Sequence, residues 1–107
     1  MNKDSTIFYS SSTKIGQAEI EQFDVEENYP NPFNPETKIT VEMYQEAEVQ
    51  ITVFNLVGKK VSTLHTGTLS KGVHDFRFNG EDLPSGIYLC EVKSKFSTVV
   101  KKMILAK

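Results

Sequence analysis

The groups able to do chemistry are few. The chain holds two histidines and one cysteine, and oxygen-bearing side chains gather at Asn79-Gly80-Glu81-Asp82. His65 and His74 stand nine residues apart, a spacing that fits no zinc-ligand pattern. Ser85, His74 and Asp82 supply the residue types of a hydrolytic triad. Ser85 follows Pro84 in a turn, however, and lies in no G-x-S-x-G elbow. Cys90 alternates in phase with Tyr88 and Val92, which predicts a small buried thiol and not a nucleophile. A single cysteine excludes an internal disulfide and a cysteine-rich zinc site. Asn79–Asp82 lacks the spacing of an EF-hand loop; an Asx turn accounts for it, and weak calcium binding there stays open. No Gly-rich phosphate loop is present. Neither a catalytic constellation, a cofactor nor a metal is expected.

The elements that must position these groups are strands. Residues 38–43 and 48–53 alternate polar and apolar, the period of a half-buried strand. Asn55-Leu56-Val57-Gly58-Lys59 reads as a turn with Gly58 at positive φ. Strands follow at 60–66, at 74–78 with His74, Phe76 and Phe78 on one face, at 87–93, and at 96–105 with Met103 and Leu105 facing one way. Turn clusters at 70–72, 79–82 and 84–86 separate them. No segment carries the helical period. The expected fold is an all-β, immunoglobulin-like antiparallel β-sandwich of about 6–7 strands. The Cys…Trp…Cys hallmark of true immunoglobulin domains is absent, since there is no Trp. Ile39, Val41, Val49, Ile51, Val53, Phe76, Phe78, Tyr88, Cys90 and Val92 form the expected core.

The lead-in differs. Residues 1–24 are polar and without period, and read as a linker or the tail of a preceding region, with a weak strand signal at 6–11. Residues 25–35 carry three prolines and can only be an extended entry, whose Tyr29 and Phe33 rings are expected to plug into a sheet edge. The folded domain is thus expected over 25–107.

With 107 residues, 38% hydrophobic and 24% charged, the chain suits one soluble domain. A net charge of −2 does not select nucleic acid. No apolar run approaches the length of a membrane span, and the first residues lack the apolar core of a signal peptide. Either the protein is cytoplasmic, or the chain is a piece of a larger exported one. Charge is polarised along the sequence: residues 1–48 carry ten acids and three bases, while residues 93–107 carry five lysines and no acid. Those lysines either meet an anionic partner or guard an edge strand against aggregation.

Asn28-Tyr29-Pro30-Asn31-Pro32-Phe33-Asn34-Pro35-Glu36-Thr37 resembles the opening motif of the type A C-terminal sorting domains of the type IX secretion system. Val53–Val61, Gly72–Phe76 with Phe78-Asn79-Gly80, Asp82–Tyr88 and Lys101–Leu105 resemble the motifs that follow in that family, in the same order and spacing. Two departures occur: Phe78 stands where Trp is usual, and Tyr44 where Pro is common.

The resemblance implies a folded address tag at the end of an exported cargo protein, directed through periplasm and outer membrane of a Gram-negative cell to its surface or beyond. Its partners would be a receptor of the secretion machinery, a surface sortase and the attached N-terminal cargo domain. Nucleic acid binding and direct membrane insertion are not expected, and the domain would be a monomer without catalysis. The recognition residues expected are Pro30, Asn31 and Pro32, which fix the entry of the chain; Gly86, allowing a close approach; Tyr88, a buried ring with a polar tip; and Lys101, Lys102 and Lys107, on a closing strand with open backbone groups. The competing reading is a structural or adhesive sandwich, carbohydrate-binding or like the caps of flagellar hooks.

Overall fold

The computed structural model describes residues 22–107. The strand signal at 6–11 lies outside them. Seven strands form: β1 Phe23–Val25, β2 Glu36–Met43, β3 Ala47–Asn55, β4 Lys60–Leu69, β5 Gly72–Asn79, β6 Gly86–Ser94 and β7 Thr98–Leu105. They build two antiparallel sheets, β1-β2-β5 and β4-β3-β6-β7. The immunoglobulin-like sandwich expected from the alternation is the fold observed.

The period of two dictates the packing. Successive side chains of a strand point to opposite faces, so β2 buries Ile39, Val41 and Met43 while β3 buries Val49, Ile51 and Val53. Tyr88, Cys90 and Val92 of β6 and Met103 and Leu105 of β7 complete the inner face of the second sheet. Of the expected core, only Phe76 is half-buried; it packs at the margin with its ring centroid 5.5 Å from that of His65. The Trp-to-Phe departure is absorbed by the core, because Phe78 is buried and meets Phe33 edge-on at 5.9 Å and Tyr88 at 6.5 Å. On the outer face of the first sheet, charged side chains pair across β2 and β5, as in Lys38–Asp75 and Arg77–Glu36.

Two features escaped the periodicity. β1 straddles the expected boundary at residue 24, pairing Phe23 with Met43 and Val25 with Val41 and burying both of its apolar rings and branches. The last strand begins at Thr98, so Phe96 lies in the β6–β7 turn and is exposed.

Candidate functional site

Three strings far apart in the sequence meet at one end of the sandwich. They are the Pro-rich entry before β2, the β5–β6 connection, and the end of β7. The entry is organised by an amide network. Asn28 Nδ2 donates to Thr37 Oγ1 at 2.9 Å and to the Pro30 carbonyl at 3.1 Å, and Thr37 Oγ1 donates to that same carbonyl at 2.8 Å. Asn28 and Thr37 are both buried. Without these bonds the carbonyl of Pro30 would lose its partners, and desolvated polar groups are costly. The peptide bonds before Pro30, Pro32 and Pro35 are cis.

The entry then crosses from one sheet to the other. Tyr29 exchanges both backbone hydrogen bonds with Lys38 of β2, at 3.0 and 2.9 Å. Phe33 pairs in parallel with Leu105 of β7: its amide donates to the Ile104 carbonyl at 2.8 Å and its carbonyl accepts Ala106 N–H at 3.0 Å. The expected aromatic plug is therefore Phe33 alone, fully buried against Phe78. Tyr29 does not plug; it is 77% exposed, because it stands opposite Lys38, an exposed position on β2, and shares that outward face.

Asn31 is the latch between entry and closing strand. Its Oδ1 accepts the Ile104 amide at 3.0 Å, and its Nδ2 donates to the Lys102 carbonyl at 3.3 Å and to Glu27 at 3.1 Å. Together with Phe33 it occupies the outward backbone groups from Lys102 of β7 to Ala106 just beyond it. The closing strand was expected to offer an open edge along its length. With β6 along its inner edge throughout, only the half from Thr98 to Lys101 has no further strand or bridge on its outer edge among the described residues.

Lys101 and Lys102 do not form one patch. Lys101 pairs with Cys90 and Lys102 with Leu89, so their side chains leave β7 on opposite faces. Lys101 is half-buried at the rim of the core face, and Lys102 is exposed on the outer face. Lys107 is tied down: its amide donates to Ser85 Oγ at 3.0 Å and its ammonium to the Glu81 carbonyl. The acidic lead-in also reaches this strand, since Asn31 bridges Glu27 to Lys102. The positive stretch of sequence is thus not a purely positive surface.

The close approach expected at Gly86 falls at Gly80 instead. A Cβ on Gly86 would meet nothing within 4 Å; what requires glycine there is φ of +153°. The close approach occurs at Gly80, where a Cβ would come 2.8 Å from Leu105 Cδ2 and 3.5 Å from Phe33 Cε2. Tyr88 behaves as expected. Its ring is buried and its hydroxyl donates to the Pro84 carbonyl at 2.6 Å. A tyrosine near the start of the sixth strand, two residues before a buried cysteine and bonded a few residues upstream, is the tyrosine corner of immunoglobulin-like sandwiches.

The chemistry-bearing groups are engaged elsewhere. His65 Nε2 donates to the Gly67 carbonyl at 3.2 Å, and His74 Nε2 to the Ser70 carbonyl at 2.8 Å, near the end of β5 opposite to Asp82 and Ser85. Asn79 Oδ1 accepts the Glu81 amide at 2.8 Å, the Asx turn expected. Cys90 is buried, and desolvation, with a smaller push from Glu91, raises its thiol to about 12. Tyr29 and Phe96, both strongly exposed rings, lie at opposite ends of the sandwich and form no common platform for a sugar.

Sequence reasoning passed over Asn28, Thr37 and Gly80 as individual residues. Asn28 and Thr37 carry a readable signal, as two polar residues flanking the Pro-rich run; Gly80 carries none, because its neighbours are tertiary.

The fold and this end define a small β-sandwich that displays a composite of its entry segment and its closing strand. The chain belongs to the secretion system C-terminal sorting domains, the family whose sequence pattern matches residues 27–106. That match begins one residue before the buried Asn28 and ends at Ala106, which bonds to Phe33. A comparison with curated proteins gives no match. The domain is the secretion signal for type IX export, and proteins carrying it pass through the outer membrane to the cell surface or are secreted. It is recognised by the type IX machinery and attached to a cargo, and its family is not one of enzymes.

Proposed function

We propose that the latched end of the sandwich is the face on which the export machinery reads this domain. The receptor and, after export, the surface sortase would meet Pro30, Asn31 and Pro32 beside Lys102, with Gly86, Tyr88 and Lys107 fixing the adjoining turn and Lys101 at its rim. One observation carries the reading: the opening, middle and closing motifs converge on this end, and Asn31 joins the first to the last. Gly86 acts through its backbone and Tyr88 through its hydroxyl on the Pro84 carbonyl, holding the turn that Lys107 reaches. Residues up to 24 link to the cargo, with β1 ordering the last of them against β2. The domain acts as a monomer, catalyses nothing, and neither enters the membrane nor binds nucleic acid.

The experiment fuses the full chain to the C-terminus of a periplasmic reporter in a type IX-competent Gram-negative host. Surface release of the fusion, with the bare reporter retained in the periplasm, is expected. Equal retention of both overturns the reading.

A further inference from the structure

The turn between β3 and β4 stands at the same end but outside the latch. It is rigid. Asn55 Oδ1 accepts the amides of Val57 at 3.1 Å and Lys59 at 2.9 Å, while Asn55 N–H donates to the Lys59 carbonyl at 2.9 Å and Gly58 N–H to the Asn55 carbonyl at 3.0 Å. Gly58 takes φ of +86°, closing the turn. This braced turn holds two apolar side chains in water: Leu56 is 63% exposed and Val57 87%. A solvated turn is ordinarily built from polar residues, and a flexible tip would fold such side chains back.

Charge sets this hairpin apart. The chain has 14 acids, yet none falls between Glu48 and Asp75, a stretch that carries Lys59, Lys60 and Lys71. Lys59 and Lys60 follow the apolar tip after Gly58 and are exposed. The neighbouring loop of the same end carries Glu81 and Asp82, also exposed.

We infer that the Asn55–Lys59 turn is a second docking point, whose Leu56–Val57 tip seats in an apolar cup rimmed by carboxylates on a protein partner. The inference rests on the reading of this chain as a sorting domain and gives the partner a chemistry. A convex, preordered tip requires a concave receiver, and holding it rigid lowers the entropy lost on docking. The two lysines demand acid at the rim of that receiver. An anionic bilayer does not satisfy the geometry. A flat surface approached by the tip also approaches the β5–β6 loop, where the carboxylates of Glu81 and Asp82 outnumber the one ammonium of Lys107, whereas a cup admits the turn alone.

The test uses the full chain fused to the periplasmic reporter. Leu56→Ser with Val57→Ser, and separately Lys59→Glu with Lys60→Glu, should each lower surface release by about tenfold or more, as loss of an interface anchor does. Both should melt at the parental temperature, because none of the four side chains enters the core. The purified parent should not float with vesicles of phosphatidylcholine and phosphatidylglycerol in equal parts. Release of the serine pair at the parental rate overturns the docking point. Release lost with the serine pair but untouched by the charge reversal overturns the acidic rim. Flotation of the parent that the serine pair abolishes overturns the protein cup in favour of a lipid surface. A parental fusion that is itself retained removes the sorting reading, a failure recognisable before any variant is scored.

Discussion

The carboxamide oxygen of Asn31 accepts the backbone amide of Ile104 at 3.0 Å, across 73 positions of sequence. A side chain here does what a neighbouring strand would do. Two bonds from one carboxamide hold β7 where the chain's own backbone cannot lie flat, because Pro30 and Pro32 flank Asn31 and have no amide to give.

Asn31→Ala should therefore destabilise the domain by about 1–2 kcal/mol, the worth of the lost bonds. Hydrogen exchange at Ile104 should accelerate more than exchange at Cys90 or Val92, which lie in the central strand. Asn31→Asp keeps the acceptor for Ile104 but sets a carboxylate beside Glu27, so it should fall between alanine and the parent. Exchange measured residue by residue decides this.

Gly80→Ala should cost about 1–3 kcal/mol, an overpacking penalty, since the new methyl comes 2.8 Å from Leu105 Cδ2 and that buried side chain must shift to admit it. Leu105→Val should relieve part of that cost in the double variant. Gly86→Ala meets no atom and should destabilise through its backbone alone, with no rescue by Leu105→Val. Thermal melts of the four variants separate the two causes.

Cys90 should react slowly with a thiol reagent in the folded state and quickly once the chain is unfolded. Its thiol is raised from 9.0 to about 12 by burial, with Glu91 adding to the push. A group with a raised folded value contributes stability that is whole below its unfolded value and is lost as pH climbs to the folded one. Stability should therefore decline between about pH 9 and 12 by more in the parent than in Cys90→Ala. Denaturant melts across that range measure the difference.

Ile51→Ala should cost about 2–5 kcal/mol, because Ile51 is fully buried between the sheets. Chemical denaturation reads it directly.

Lys101 and Lys102 should part company when reversed singly. Lys101→Glu removes a half-buried stem from the rim of the core and should lower stability by about 1 kcal/mol. Lys102→Glu lies on the outer face and should melt close to the parent. Paired thermal scans suffice.

The strands were legible because alternation is local. Ile39 and Val41, or Val49 and Ile51, announce their face by neighbours two residues away. β1 was not, since three residues in a polar run carry too little period to read. The prolines showed that the entry is extended but not which ring it buries, and Phe33 rather than Tyr29 was decided by the reach to Leu105. Gly80 and Gly86 look alike in sequence; which one needs empty space depends on Leu105, 25 residues beyond Gly80. The opposite faces of Lys101 and Lys102 follow from the same period that revealed the strands, whereas the Asn31 latch has no local signature at all. The opening and closing motifs lie at one end of the molecule, and only three dimensions showed how they join.

The latch also has a meaning in time. A chain grows from its first residue to its last, so Asn31 exists long before Ile104. Until Lys102, Ile104 and Ala106 have been added, Asn31 and Phe33 have no closing strand to grip, although Tyr29 already has Lys38 to pair with and Phe33 has Phe78 to pack on. A chain cut short anywhere before that point carries every earlier motif but not the assembled end. The assembled end therefore reports that synthesis has passed Ala106: a chain stopped short of that residue cannot present it.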